Sequence, residues 1–175
     1  MSGFGAEKPD LLIVGEAPRG KDDKDGKPFA GEPGLLLRGQ LSEVGIKSVY
    51  YTNLIKCAPP FGVKIPAAAV KACRKYLDAE IAELKPKWVA TLGSLPSKAV
   101  LKKAKITEAH GQVVPFGTIQ GVPLFDPGYA IRDPSKMPTF KADVRRLSRA
   151  MRGELIKTTI EWEVIDAEKS RSIYQ

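Results

Sequence analysis

The stretch Leu11–Gly34, LLIVGEAPRGKDDKDGKPFAGEPG, decides how the rest of the chain is read. Leu11-Leu12-Ile13-Val14 is a continuous apolar run, the pattern of a strand buried on both faces of a parallel sheet. It breaks at Gly15 and gives way to a long polar loop in which Phe29 and Ala30 form an apolar island. A core strand ending in an acidic residue and a glycine-rich loop is where α/β proteins place chemistry, because strand ends hold loop residues rigidly.

One chemistry to weigh is phosphate binding. Gly15-Glu-Ala-Pro-Arg-Gly20-Lys21-Asp22 nearly satisfies the pattern of two glycines, lysine and a hydroxyl residue that follows a strand in nucleotide-binding loops. Asp22, however, puts an anion where a hydroxyl ligates magnesium beside the phosphates. The loop must also enter a helix whose first amides cradle the phosphates. Asp22 to Pro28 contains Gly26 and Pro28 and has no apolar periodicity, so the segment reads as a solvated turn.

Outward from this stretch, strands and helices alternate. Leu35, Leu36, Leu37, Leu41, Val44 and Ile46 predict a helix of about 11 residues ending near Gly45. Val49–Thr52 is a β-branched and aromatic strand that delivers Asn53 at its end. Pro66, suited to a first helical turn, opens a helix with apolar positions at Val70, Cys73, Leu77, Ile81 and Leu84. Trp88–Leu92 is a third strand, stopped by Gly93, and a lysine-rich helix runs from Pro96 to Ala104. Gln112–Phe116 is a short extended piece, and Val122–Phe125 a fourth strand feeding Asp126-Pro-Gly-Tyr. The last helix, Pro138 to Arg152, buries Phe140, Val144, Leu147 and Met151 and gathers Lys141, Arg145, Arg149 and Arg152 outside. This alternation predicts an α/β fold, a mostly parallel sheet covered on both faces.

The chain of 175 residues, 43% hydrophobic and 27% charged, is long enough for one cored domain. Its formal net charge of +8 favours an anionic partner, nucleic acid first. From Gly153 onward five acidic residues face three basic ones, so this segment carries −2 and the preceding residues +10. We therefore divide the chain into a domain over 1–152 and an acidic tail over 153–175. In the tail Thr158–Ile165 alternates at period two and predicts a strand or docking segment. No apolar run approaches the roughly 20 residues that span a bilayer, and no secretion signal precedes the first strand. Two cysteines make no disulfide framework. These features predict a cytoplasmic protein with no membrane association.

Gly15-Glu-Ala-Pro, Gly26-Lys-Pro-Phe-Ala-Gly, Gly34-Leu-Leu, Thr52-Asn-Leu-Ile-Lys-Cys-Ala-Pro-Pro, Cys73, Lys85-Pro-Lys, Leu92-Gly93 and Asp126-Pro-Gly-Tyr-Ala-Ile-Arg occur in an order and spacing that resemble the uracil-DNA glycosylase superfamily. The match covers about residues 11 to 150 and is nearest the iron–sulfur, family-four class that includes phage polymerase-related proteins. The resemblance implies a three-layer α/β/α fold around a four-stranded, mostly parallel sheet, with the site at the strand ends. It also implies a DNA glycosylase, a hydrolase of DNA repair that flips a base from single- or double-stranded DNA and cleaves its N-glycosidic bond. The rival implication is a catalytically silent DNA-binding accessory of phage-type replication or repair, with the tail as the docking segment for a protein partner.

By the same resemblance, Gly15, Ala17, Phe29 and Asn53 form the base pocket. Phe29 stacks on the base, and the Asn53 amide offers the donor and acceptor that suit a uracil edge. Glu16 positions water or stabilises the oxocarbenium-like transition state. Asp126 stands where the class carries histidine. The family histidine donates to the departing base anion, which an ionised Asp126 cannot do; it serves only if its pKa is raised enough to keep it protonated. Arg19, Pro127, Gly128, Tyr129 and Arg132 are the DNA-contacting candidates, the later ones on a loop that enters the minor groove. The class binds a 4Fe–4S cluster through four cysteines. Only Cys57 and Cys73 match, so no cofactor and no metal are expected, and both thiols read as ordinary buried cysteines lying near each other. His110 lies too far in sequence from Asp126 to replace the missing histidine by motif, and reads as a loop residue.

Overall fold

The computed structural model describes residues 1–103 and 105–154. The predicted tail strand at Thr158–Ile165 lies outside the described residues. Six strands form one sheet: β1 (Phe4–Gly5), β2 (Leu11–Gly15), β3 (Val49–Asn53), β4 (Trp88–Leu92), β5 (Val114–Phe116) and β6 (Ile119–Leu124), in the order β1-β3-β2-β4-β6-β5. The central four are parallel. The expected four-stranded sheet is thus the centre of a wider one, edged by two short antiparallel strands.

The apolar run of β2 is buried throughout because helices cover both faces. Successive side chains point to opposite sides of a strand. Leu11 and Ile13 join Leu37 and Leu41 of α2 (Glu32–Glu43) and Phe140, Val144 and Leu147 of α7 (Met137–Met151). Leu12 and Val14 join Leu77 of α3 (Ala67–Leu84) and Val100 and Leu101 of α4 (Ser94–Leu101) on the other face. The three-layer α/β/α arrangement follows from that alternation. From β2 the chain goes to β3 on one side, then crosses to β4 on the other. Such a reversal opens a crevice beyond the carboxyl ends of the strands.

Four local readings are corrected. The polar loop contains a helix, α1 (Gly20–Asp25), stopped by Gly26 at φ +66°. Pro66 is the extended residue before α3, not part of its first turn. Leu35 faces solvent at 63% exposure, so the apolar stripe of α2 starts one residue later. The segment after Asp126 is no loop: Pro127–Arg132 forms α6.

One buried polar network was not anticipated. Lys56 Nζ donates to Glu80 Oε2 at 2.6 Å and to Thr52 Oγ1 at 2.7 Å, with both charged side chains largely buried. The amino terminus donates to the Lys56 carbonyl and Gly3 N to Glu80 Oε1, so this pair also ties the first residues to α3. Removing one member of a buried pair strands the other charge, at a cost of about 3 kcal/mol. We expect Lys56→Met to lose about that much in urea unfolding, and the double variant Lys56→Met/Glu80→Met to regain most of it. Lys87→Met, which breaks an exposed pair with Asp10, should change stability by no more than ~0.5 kcal/mol.

Candidate active site

The site grows from the ends of β2 and β3. Gly15 and Asn53 are paired in the parallel register. A Cβ on Gly15 would collide with Asn53 Oδ1 and would lie 2.6 Å from Phe29 Cζ, so glycine lets an amide and an aromatic ring close on the same strand end. Asn53 is 5% exposed, and its side chain lines the cleft there.

The loop that brings Phe29 back to this point is closed by Asp22. Its carboxylate is buried and accepts from Arg19 N at 2.9 Å and Ala30 N at 2.7 Å. The anion that disqualifies a phosphate loop is the residue that folds this one. Phe29 has φ +60°, a left-handed conformation that costs a non-glycine residue about 1 kcal/mol or more. Its carbonyl accepts from Arg38 Nη1 at 2.8 Å. Any side chain on Gly34 would collide with that carbonyl. The Phe29 ring leans on Tyr51, centroids 5.9 Å apart, and Tyr51 stacks on Phe4 at 5.4 Å.

Around these two walls lies a cleft of about 210 Å³ lined by Gly15, Glu16, Ala17, Phe29, Asn53 and Asp126, among others. That is small beside the pockets of drug-sized ligands and suits a single ring. Glu16 faces the opening, with Arg19 Nη2 3.6 Å from its carboxylate. Arg19, Pro127, Gly128 and Arg132 also line the cleft, but Pro127 and Gly128 are buried in its wall and present no outer surface. Tyr129 is partly exposed on α6 and does not line the cleft.

Asp126 has a role that sequence reasoning missed, although aspartate before proline is a helix-start signal. It caps α6, its Oδ1 accepting from Tyr129 N at 3.1 Å. Burial pushes its carboxyl above the ordinary aspartate range; the Tyr129 amide, the Arg132 and Arg19 charges and the Gly128 amide pull the other way without cancelling the rise. The direction is the one a proton donor requires.

His110 follows α5 (Ile106–Ala109), as a loop residue should, yet it is not idle. Its Nδ1 lies 2.7 Å from Asp143 Oδ2 and its ring stacks on Phe125 at 4.5 Å. On α7, Arg145 lies 3.9 Å from Glu43, while Arg149 and Arg152 pair with Glu154, so much of that basic face is neutralised.

The cysteines correct another reading. Cys57 is exposed rather than buried, Cys73 is half-buried, and both are free thiols. These 175 residues contain no other cysteine. No group of three or more potential metal ligands occurs among the described residues. Two thiols do not complete a four-thiolate cluster site.

The sequence that builds this cleft is similar to those of known proteins. The family model of the uracil DNA glycosylase superfamily matches residues 2–149, and the chain belongs to that family. Its relatives include the type-4 uracil-DNA glycosylase of Pyrobaculum aerophilum, 33% identical over 156 residues covering 82% of this chain and 79% of the relative. The type-4 enzyme of Thermotoga maritima is 34% identical over 130 residues, 71% of this chain and 68% of the relative. A DNA polymerase of Bacillus phage SP01 is 28% identical over 163 residues, which are 91% of this chain but 18% of the polymerase.

Because burial raises the Asp126 pKa, its ionised form opposes folding once pH exceeds the folded-state value, and the site is favoured below the unfolded-state value. Asp126→Asn keeps an oxygen to cap α6 and should therefore be at least as stable as wild type at pH 7, the difference vanishing in acid. Asp126→Ala should lose about 1 kcal/mol by denaturant titration at pH 4 through loss of the cap.

Proposed function

We propose that this chain is a monofunctional DNA glycosylase that hydrolyses the N-glycosidic bond of uracil or a modified pyrimidine flipped from DNA. The observation that carries the proposal is the joint closure of Phe29 and Asn53 on Gly15. A ring and an amide at one strand end supply the two elements that read an extruded base, a stacking face and a hydrogen-bonding edge. The type-4 names of the relatives support the same chemistry.

In this reading the base stacks on Phe29 and presents its edge to Asn53. Glu16 holds the attacking water near the sugar and stabilises the cation that develops as the bond breaks. The bonding pair leaves with the base, and water adds to the sugar carbon. Asp126, when protonated, donates to the departing base; its raised pKa supports that role. Arg19 and Arg132 bring positive charge to the mouth, where phosphates pass. The protein acts on DNA; a replication or repair partner docks through the acidic tail.

One observation favours a second reading. The Asp126 carboxylate accepts a hydrogen bond from α6, which favours the ionised, non-donating form. A silent DNA-binding accessory follows if the raised pKa still lies below the working pH, so that Asp126 stays ionised there.

Release of free uracil from labelled oligonucleotides separates the two. The enzyme reading predicts measurable release, lowered about 10²–10³-fold in Asn53→Ala and falling as pH rises through the Asp126 pKa. Asp126→His should remove that fall. No release from wild type at any pH, with salt-sensitive DNA binding intact, rules out uracil as the substrate and favours the accessory.

A further inference from the structure

Residues 29 and 30 share one peptide group, and both of its polar atoms are held by charges. The carbonyl of Phe29 accepts from Arg38 Nη1 at 2.8 Å. The amide of Ala30 donates to Asp22 Oδ1 at 2.7 Å. The two grips come from different elements, Arg38 from the second turn of α2 and Asp22 from α1. Fixing that peptide plane restrains ψ of Phe29 and φ of Ala30, at a residue whose own φ is +60°. Asp22 also reaches Arg19 N with its second oxygen, so the clamp is anchored to the start of the loop. Gly34 completes it by leaving the Phe29 carbonyl uncovered.

We infer that Asp22 and Arg38 are positioning residues that clamp the 29–30 peptide and thereby aim the Phe29 ring into the cleft, setting preference for a flipped pyrimidine, Arg38 from outside the cleft. This inference rests on the base-pocket reading of Phe29. Neither residue belongs to a motif that carries the family resemblance. Arg38 does not line the cleft; Asp22 does, but it is 7% exposed and its two oxygens are taken by the amides of Arg19 and Ala30.

The test is a double-mutant cycle between Phe29→Ala and Arg38→Ala. Its readout is the ratio of affinities for a duplex bearing a 2′-fluorinated, non-cleavable uracil nucleotide and the same duplex bearing thymine. A charged hydrogen bond of the usual strength translates into about a tenfold loss of that ratio in Arg38→Ala. Arg38→Lys, which keeps a charged donor, should retain most of it. In the Phe29→Ala background, Arg38→Ala should do nothing further, because it acts through the ring. Additive losses, or equal weakening on both duplexes, would mark Arg38 as a phosphate contact and overturn the inference.

A second readout stands apart from base recognition. Tryptic cleavage of the folded protein after Lys24 should accelerate severalfold in Arg38→Ala and Asp22→Ala, but not in Arg38→Lys. If wild type shows no uracil preference, the base-pocket reading fails; unchanged cleavage in both alanine variants refutes the clamp itself.

Discussion

The structure depends on one steric constraint, the register of β2 against β3. Pairing Leu11 with Val49 commits Gly15 to lie beside Asn53 at the far end. Four residues on, both strands end, so what is placed there is held by a buried sheet and lines the cleft. A one-residue slip would turn every side chain of one strand to the opposite layer and exchange the two cores. Leu12 and Val14 would lose Leu77, and Leu11 and Ile13 would lose Phe140 and Leu147. The core therefore fixes the functional geometry: a glycine, an amide and a ring meet because aliphatic residues some 15 Å away cannot be repacked.

Around that fixed point, loop conformation is set by charges with few alternatives. Asp22 holds Arg19 N and Ala30 N, Arg38 holds the Phe29 carbonyl, and Lys56 with Glu80 fixes the start of the chain against α3. A buried charge without its partner costs several kcal/mol, whereas an exposed pair contributes little. Asp22, Lys56 and Glu80 therefore specify conformation in a way that Lys21–Asp25 or Lys105–Glu108, both exposed, do not. A left-handed phenylalanine persists here because its surroundings over-determine it.

Much of this was legible in the sequence, for identifiable reasons. The four central strands were visible because each is buried on both faces and reads as an apolar run. β5 was legible only as part of the short extended piece Gln112–Phe116, and β1, two residues long, has no period to detect. Phe29 stood out as apolar in a polar loop, and Asn53 as an amide at a strand end. Helix α1 was hidden because it has no apolar stripe at all; capping by Asp22 and the left-handed Gly26 define it, and those are tertiary and backbone facts. Lys56 was read as part of a loop motif, since lysines are seldom buried and the carboxylate that receives it lies 24 positions away on α3. The His110–Asp143 contact spans 33 positions and is illegible for the same reason.

Asp126 shows why a motif departure cannot be judged from residue type alone. As a free side chain, aspartate in place of histidine replaces a donor by an anion and should abolish leaving-group stabilisation. In this fold the position is a helix N-cap closed in by Pro127 and the cleft wall, and desolvation there is the largest influence on the carboxyl group. Desolvation favours the neutral acid, while the capping hydrogen bond and nearby arginines favour the anion. Histidine feels the opposite desolvation, since burial disfavours its charged form, so the same wall that helps aspartate keep a proton would make histidine lose one. One environment thus shifts the protonation of the two residue types in opposite directions. The wall, built by Pro127, Gly128 and Pro33, is therefore as much a determinant of the chemistry as the residue it surrounds.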